Sequence, residues 1–145
     1  MTWDDMREIQ RELNVTLPKC YVETMCSYPF PPDTWLEEVL LDDAKWVVET
    51  NREWRNTGWA NEIWKDHHFV IGHDGGECCY YIDTRQDDSP VFTISLEDSD
   101  FELIEKAPSL RDFVDQNLRD YEAGLAEKRE RELRKASKRW WQFWK

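Results

Sequence analysis

Residues 67–92 read HHFVIGHDGGECCYYIDTRQDDSPVF. Phe69, Val70 and Ile71 form strands readily and run straight into Gly72. His73-Asp74-Gly75-Gly76 is turn chemistry, because Gly tolerates positive φ and Asp can accept hydrogen bonds from the backbone just after it. Cys78 to Ile82 is a second apolar run, Thr84 to Ser89 a polar loop, and Pro90 opens a third run, Val91 to Ile94. Two runs joined by a Gly-Gly turn predict a hairpin, with a third strand following it.

Upstream, Thr2 to Leu13 has helical periodicity, with Thr2 as cap, Asp4 and Asp5 in the first turn, and Trp3, Met6, Ile9, Gln10 and Leu13 near one face. Pro18 opens a second helix, Lys19 to Ser27, with Tyr21, Val22, Met25 and Cys26 as its buried stripe. Pro29-Phe30-Pro31-Pro32 ends it. Val39 to Leu41 reads as a short strand, or alternatively a helical turn. Asp42 is a candidate cap for a helix from Asp43 to about Asn56, with apolar positions Ala44, Trp46, Val47 and Trp54, stopped by Gly58. Trp59 to Lys65 bridges to the hairpin.

Downstream, Ser95 to Asp100 is a polar turn, and Phe101 to Ile104 a fourth strand pairing back with Val91–Ile94. Pro108-Ser109 introduces a long helix with Leu110, Phe113, Val114, Leu118, Tyr121 and Leu125 at helical spacing. Beyond Leu125 the apolar residues nearly vanish, but Glu127/Arg131 and Glu130/Arg134 pairs can sustain a helix in water. The chain ends in Trp140, Trp141, Phe143 and Trp144 among basic residues.

The 145 residues suit one core. The formal net charge is −12; residues 119–145 carry nine Lys/Arg against five Asp/Glu, leaving −16 on the rest. Such a domain repels nucleic-acid phosphates and anionic lipid and attracts basic proteins; solubility alone is the simpler reading of the same charge. Met1-Thr2-Trp3-Asp4-Asp5 has no apolar signal region, and no apolar run reaches membrane-spanning length. The expectation is a cytoplasmic protein with reduced thiols at Cys20, Cys26, Cys78 and Cys79.

His67, His68 and His73 lie near Asp74, Cys78 and Cys79, a set of metal-binding residue types. Neighbours on a strand point to opposite faces, so they do not converge on one ion, and no metal is expected. Asp74-Gly75-Gly76-Glu77 lacks the following helix and Lys of a phosphate loop. Asp83 has no nucleophile or His at a recognisable catalytic spacing. No catalytic residue and no cofactor is assigned. Carboxylates in the loops beside the third strand, Asp87 and Asp88 on one side and Glu97, Asp98 and Asp100 on the other, offer a docking face for a basic protein, or are solvated loops. Trp140, Trp141 and Trp144 fold back on the domain, bind a partner or a second copy, or touch a membrane; the −16 domain weighs against the last.

Gly72-x-Asp74-Gly75-Gly76, an apolar pair, Ile82-Asp83 and the Pro90-Val91 strand resemble the central motif of the SUKH superfamily (SMI1/KNR4-like). Leu17-Pro18-x-x-Tyr21 resembles its early signature, Val39 to Asn56 its strand followed by a helix, and Phe101 to Ile104 with Ser109 to Leu118 its closing strand and helix. Glu77 and Cys78 depart from its more glycine-rich turn, and residues beyond Leu125 lie outside the pattern. The resemblance implies an α+β domain over residues 1–125, with a mainly antiparallel sheet of about four to six strands packed with helices. A charged helical extension, 126–145, completes the long C-terminal helix. It implies a non-enzymatic immunity protein that binds and blocks a cognate toxin; the acidity fits a basic toxin such as a nuclease. Two rival readings are a regulatory scaffold like the fungal relatives and an enzyme using Asp74, Glu77 or Asp83.

Overall fold

Thr2 and Asp5 close a reciprocal cap at the start of the first helix. In the computed structural model, which describes residues 1–56, 64–76, 78–95 and 104–142 (backbone alone at 95 and 137–142), α1 spans Trp3–Leu13. Thr2 Oγ1 accepts from the Asp5 N–H at 3.2 Å, and Asp5 Oδ2 accepts from the Thr2 N–H at 2.6 Å. Met6, Ile9 and Leu13 are buried, each contributing roughly 1.5–3 kcal/mol relative to exposure. Trp3, expected on that face, is 60% exposed. α2 spans Lys19–Cys26 behind Pro18 and buries Tyr21, Val22 and Met25; Cys26 is only partly covered.

Of the two readings of Val39–Leu41, the helical turn holds for Val39 alone, which closes the single-turn helix α3, Leu36–Val39. Leu36 and Val39 are three residues apart and both buried, so packing holds a turn too short to nucleate alone. Leu40 is extended, and the Leu41 N–H makes one strand-like bond to the Ile71 carbonyl at 2.9 Å. α4 spans Ala44–Asn56. Its cap is Asp43, whose Oδ1 accepts from the Trp46 N–H at 2.8 Å; Asp42, the expected cap, lies 2.6 Å from the terminal ammonium of Met1. The buried face of α4 is Val47, Val48 and Asn51, and Trp46 faces outward, 55% exposed. Arg55 Nη1 donates to the Leu13 carbonyl at 2.8 Å and latches α4 to the end of α1.

The sheet is antiparallel with order β1-β2-β3-β4: β1 His68–His73, β2 Cys78–Asp83, β3 Val91–Ser95 and β4 Ile104–Ala107. The hairpin is the one anticipated. Asp74 Oδ1 accepts from the Gly76 and Cys78 N–H groups, and Gly75 takes φ +79°. Phe69 pairs with Ile82 and Val70 with Tyr81, and a bulge follows at Ile71. The fourth strand pairs back with β3 as expected, and its described part is Ile104–Ala107.

Both faces of the sheet are covered at β1 and β2, while Ile104, Glu105 and Lys106 of β4 are exposed. Tyr21 of α2 meets Phe69 edge-on at 5.3 Å, and Phe113 meets Tyr80 at 4.9 Å. Val70, Cys79, Tyr81 and Ile94 pack with Trp64 on the other side. Burial on two sides explains why these strands read as continuous apolar runs.

The edge strand β1 is closed by three devices. Asn51, fully buried, donates through Nδ2 to the Val47 and Val70 carbonyls at 2.9 and 3.0 Å, and its Oδ1 accepts from the Val70 N–H at 2.8 Å. Leu41 takes the Ile71 carbonyl. Gly72 lies so close to the end of α3 that a Cβ there would fall on the Val39 carbonyl. A covered edge cannot recruit a foreign strand.

α5 spans Leu110–Gln142, capped by Ser109, whose Oγ accepts from the Asp112 N–H at 3.0 Å. Two compact units divide at Val114/Asp115. In the first, Leu110, Phe113 and Val114 are buried; in the second, Leu125 is 36% exposed and Arg134 pairs with Glu130 at 2.6 Å. The expected stop at Gly58, the bridge from Trp59 to Ile63, Glu77, the turn at 96–100 and the strand start at Phe101 lie outside the described residues.

Candidate protein-binding surface

The loop carboxylates chosen from the sequence divide. Asp87 and Asp88 are exposed, and both turn toward the start of α2: Asp87 Oδ1 accepts from the Lys19 N–H at 3.1 Å, and Asp88 Oδ1 lies 3.5 Å from Cys20 Sγ. Pro18 has no side-chain cap to offer, so Asp87 serves an orphan amide of α2 from across the chain. Burial, and then the negative charge of Asp88, push the Cys20 thiol up. Glu97, Asp98, Asp100 and Trp144 lie outside the described residues, and Trp140 and Trp141 are described as helix backbone alone.

A larger acidic surface lies elsewhere. A groove of about 460 Å³ runs between α1 and α4, with Asp5, Glu8 and Glu12 on one wall and Asp42, Asp43 and Glu49 on the other. Arg52 bridges to Glu12 at 2.6 Å and holds that carboxyl below its usual range; Lys45 lies 3.8 Å from Glu49. The Thr2 backbone N–H holds Asp5 low in the same way. Six carboxylates against two side-chain cations leave the groove negative at neutral pH. Asp5, Glu8 and Glu12 stand three and four residues apart, so the α1 sequence already carried the signal for this stripe. The contribution of α4 was hidden, because Trp46 at an apolar position suggested that its flank was core.

Asp42 and Asp43 also line a second hollow of about 340 Å³ with Tyr28, Phe30, Pro32, Glu37 and Trp46. Beyond it, Glu38 reaches over the hairpin turn, where a Cβ on Gly75 would lie 2.6 Å from its Oε2. Glu38 also approaches His73 Nδ1 at 4.0 Å, and that nitrogen lies 3.1 Å from the Gly75 backbone nitrogen. Trp35 is 54% exposed. The surface from α1 through the start of α4 to α3 therefore combines carboxylates with exposed aromatic rings, the composition of a protein-recognition patch.

Of the residues weighed for catalysis, Glu77 lies outside the described residues, and Asp74 and Asp83 are held by hydrogen bonds. Asp83 is 7% exposed and held by Arg85 in a bidentate pair, Nη2 to Oδ2 at 2.6 Å and Nε to Oδ1 at 3.0 Å. That pairing lowers its carboxyl to about 2, far from a general acid's working range. Burial, and then the neighbouring His67, lower His68 to about 4; its Nδ1 accepts from the Lys65 N–H at 3.2 Å. Cys79 is buried, which pushes its thiol well up, and all four cysteines are free. Among the described residues no group of three or more His, Cys, Asp or Glu could hold a metal ion. Also among them, no helix is long and apolar enough to cross a membrane.

Fold and surface together define an α+β protein whose exposed chemistry suits binding. The SMI1 / KNR4 family (SUKH-1) model matches residues 1–116, and the chain belongs to that family. The match covers the first compact unit and stops two residues into the second. The family is known for immunity proteins. No curated protein and no solved structure matches the chain.

Proposed function

We propose that this chain is an immunity protein that binds a basic toxin domain, such as a nuclease, and blocks its active site or substrate surface without catalysis of its own. The observation that carries the reading is the continuous acidic surface over α1, α4 and α3. A nuclease must present cations to its phosphate substrate, and a rigid array of carboxylates competes for that same field. The four free thiols support a reducing, cytoplasmic setting. Asp87 and Asp88, with Glu97, Asp98 and Asp100, are further acidic positions proposed to meet the partner. Trp140, Trp141 and Trp144 of the C-terminal extension supply aromatic anchors to the partner or to a second copy of the chain.

The test is protection of cells expressing the cognate toxin, joined to association kinetics of the purified pair across salt. Protection by the full chain, with an association rate that falls steeply as salt rises, supports the reading. Glu8→Lys with Glu49→Lys should slow association further. A complex whose rate ignores both salt and the double reversal removes the electrostatic argument; absence of protection removes the immunity reading.

A further inference from the structure

The hollow beside the start of α4 has a composition that the acidic surface as a whole does not. Its floor is Tyr28 and Phe30, ring edge against ring face at 5.9 Å and 84°. The Tyr28 hydroxyl donates to the Leu40 carbonyl at 2.7 Å, which fixes that ring. Pro32 flanks it, and one wall is the indole of Trp46, over half exposed on an otherwise well-packed helix. The rim is Glu37, Asp42 and Asp43.

Each rim carboxylate holds a backbone or terminal N–H: Glu37 Oε1 accepts from the Asp33 N–H at 2.8 Å, Asp43 from Trp46, and Asp42 from the Met1 ammonium. These contacts fix their positions and leave lone pairs unused. Among the described residues no Lys or Arg side chain pairs with any of the three. Lys45, next to Trp46 in the chain, lines the α1/α4 groove and lies beside Glu49. The negative field reaches the floor. Burial pushes the Tyr28 hydroxyl up, and the charges of Asp42 and Glu37 push it further. Asp42 shares the Met1 ammonium, but Glu37 and Asp43 have no cationic partner among the described residues, and flat π-faces below them attract a cation from two directions.

We propose that this hollow receives the guanidinium of an arginine carried by a basic protein partner, stacked on Trp46 and bridged to the carboxylates of Glu37, Asp42 and Asp43. Arginine fits better than lysine because its planar fork can lie against a ring while donating in its own plane to carboxylates. An ammonium is a compact, strongly hydrated charge that does only one of these well. The inference rests on the reading of the chain as a binder of basic proteins, and it adds the anchor point. An exposed Trp beside a well-packed floor is the kind of residue on which binding energy concentrates.

The probe is Nα-acetyl-arginine methylamide, titrated into the isotope-labelled full chain and followed by NMR, with the uncharged citrulline analogue and the lysine analogue in parallel. The expected result is weak, saturable binding that shifts the Trp46 indole and the amides of Glu37, Asp42 and Asp43. Citrulline should be without effect and lysine weaker. Trp46→Ala should weaken the arginine probe by about two- to thirtyfold, and Trp46→Phe, which keeps a flat ring, by less. Glu37→Gln, whose amide oxygen can still serve the Asp33 N–H, should also weaken it.

Citrulline binding as well as arginine, lysine matching arginine, or Trp46→Ala leaving the affinity unchanged would each overturn the assignment. The two readings part cleanly. Toxin protection that persists in Trp46→Ala while no arginine probe binds sinks the hollow alone. Arginine binding by a chain that protects against no toxin sinks the immunity reading alone.

Discussion

Replacing Asn51 by leucine removes the group that closes the edge of the sheet. The side chain is fully buried and makes three hydrogen bonds, two of them to the N–H and carbonyl of Val70, itself 1% exposed. Leucine is close in size, so little cavity forms, but both Val70 groups lose their partner where water cannot replace it. Each orphaned buried group costs about 1–3 kcal/mol. Burying the added apolar surface returns roughly 1 kcal/mol. The net loss is then about 1–5 kcal/mol, a large part of a typical domain's stability. For a unit of this size that is a fall in Tm on the order of 10 °C. Circular dichroism melting and urea unfolding measure it, and hydrogen exchange at the Val70 amide reports the site directly. Asn51→Asp provides an internal control: it keeps the acceptor for Val70 but sets a carboxylate oxygen against two carbonyls. Its folded pKa is therefore raised, so its deficit relative to the parent should shrink as the pH falls and the carboxyl gains a proton. A leucine variant melting within about 3 °C of the parent, with Val70 still protected, would refute the account of how this edge is closed.

Three further outcomes follow from the geometry. Gly72→Ala should prevent folding or cost more than about 3 kcal/mol, because the added carbon meets the rigid Val39 backbone; yield and melting of the purified variant check it. Thr2→Ala opens the reciprocal cap and should lower stability by about 1 kcal/mol, read from the urea midpoint. Folding lowers His68 to about 4 and Asp83 to about 2, so the unfolded chain binds more protons in acid. The His68 contribution is complete above about pH 6.5 and is lost as the pH falls toward 4; that of Asp83 is complete above about pH 4 and is lost toward 2. Unfolding free energies measured from pH 8 to 4 should fall for the parent and fall less for His68→Gln.

The hairpin was legible because Gly72, Asp74, Gly75 and Gly76 have strong local preferences that the fold does not override. The same holds for the α1 cap, where Thr2 and Asp5 stand at the required spacing. Reading failed where a long-range partner decides. Leu36–Val39 is helical only because both residues bury themselves under the sheet edge. Asp42 and Asp43 cannot be ranked as caps by sequence, since the choice depends on the Met1 ammonium. Asp87 looks like a free surface charge until its partner, the Lys19 amide some seventy positions away, is known. Trp46 and Asn51 inverted the usual rule, the aromatic residue facing out and the amide facing in. Of the candidate surface, the stripe on α1 could be read from spacing, and the hollow could not, because it forms only when the loop after α2, the α3 turn and the start of α4 fold against one another.

The contact between Gly72 and Val39 has an evolutionary side. It is made of backbone and admits no side chain, so mutation has almost nothing there to vary. Lys45, Trp46, Glu49 and Glu8 stand outside that contact and hold little of the core in place. A lineage can therefore exchange the proposed binding face while inheriting the scaffold unchanged. The positions that identify the fold and those of the proposed binding face are free to drift at different speeds.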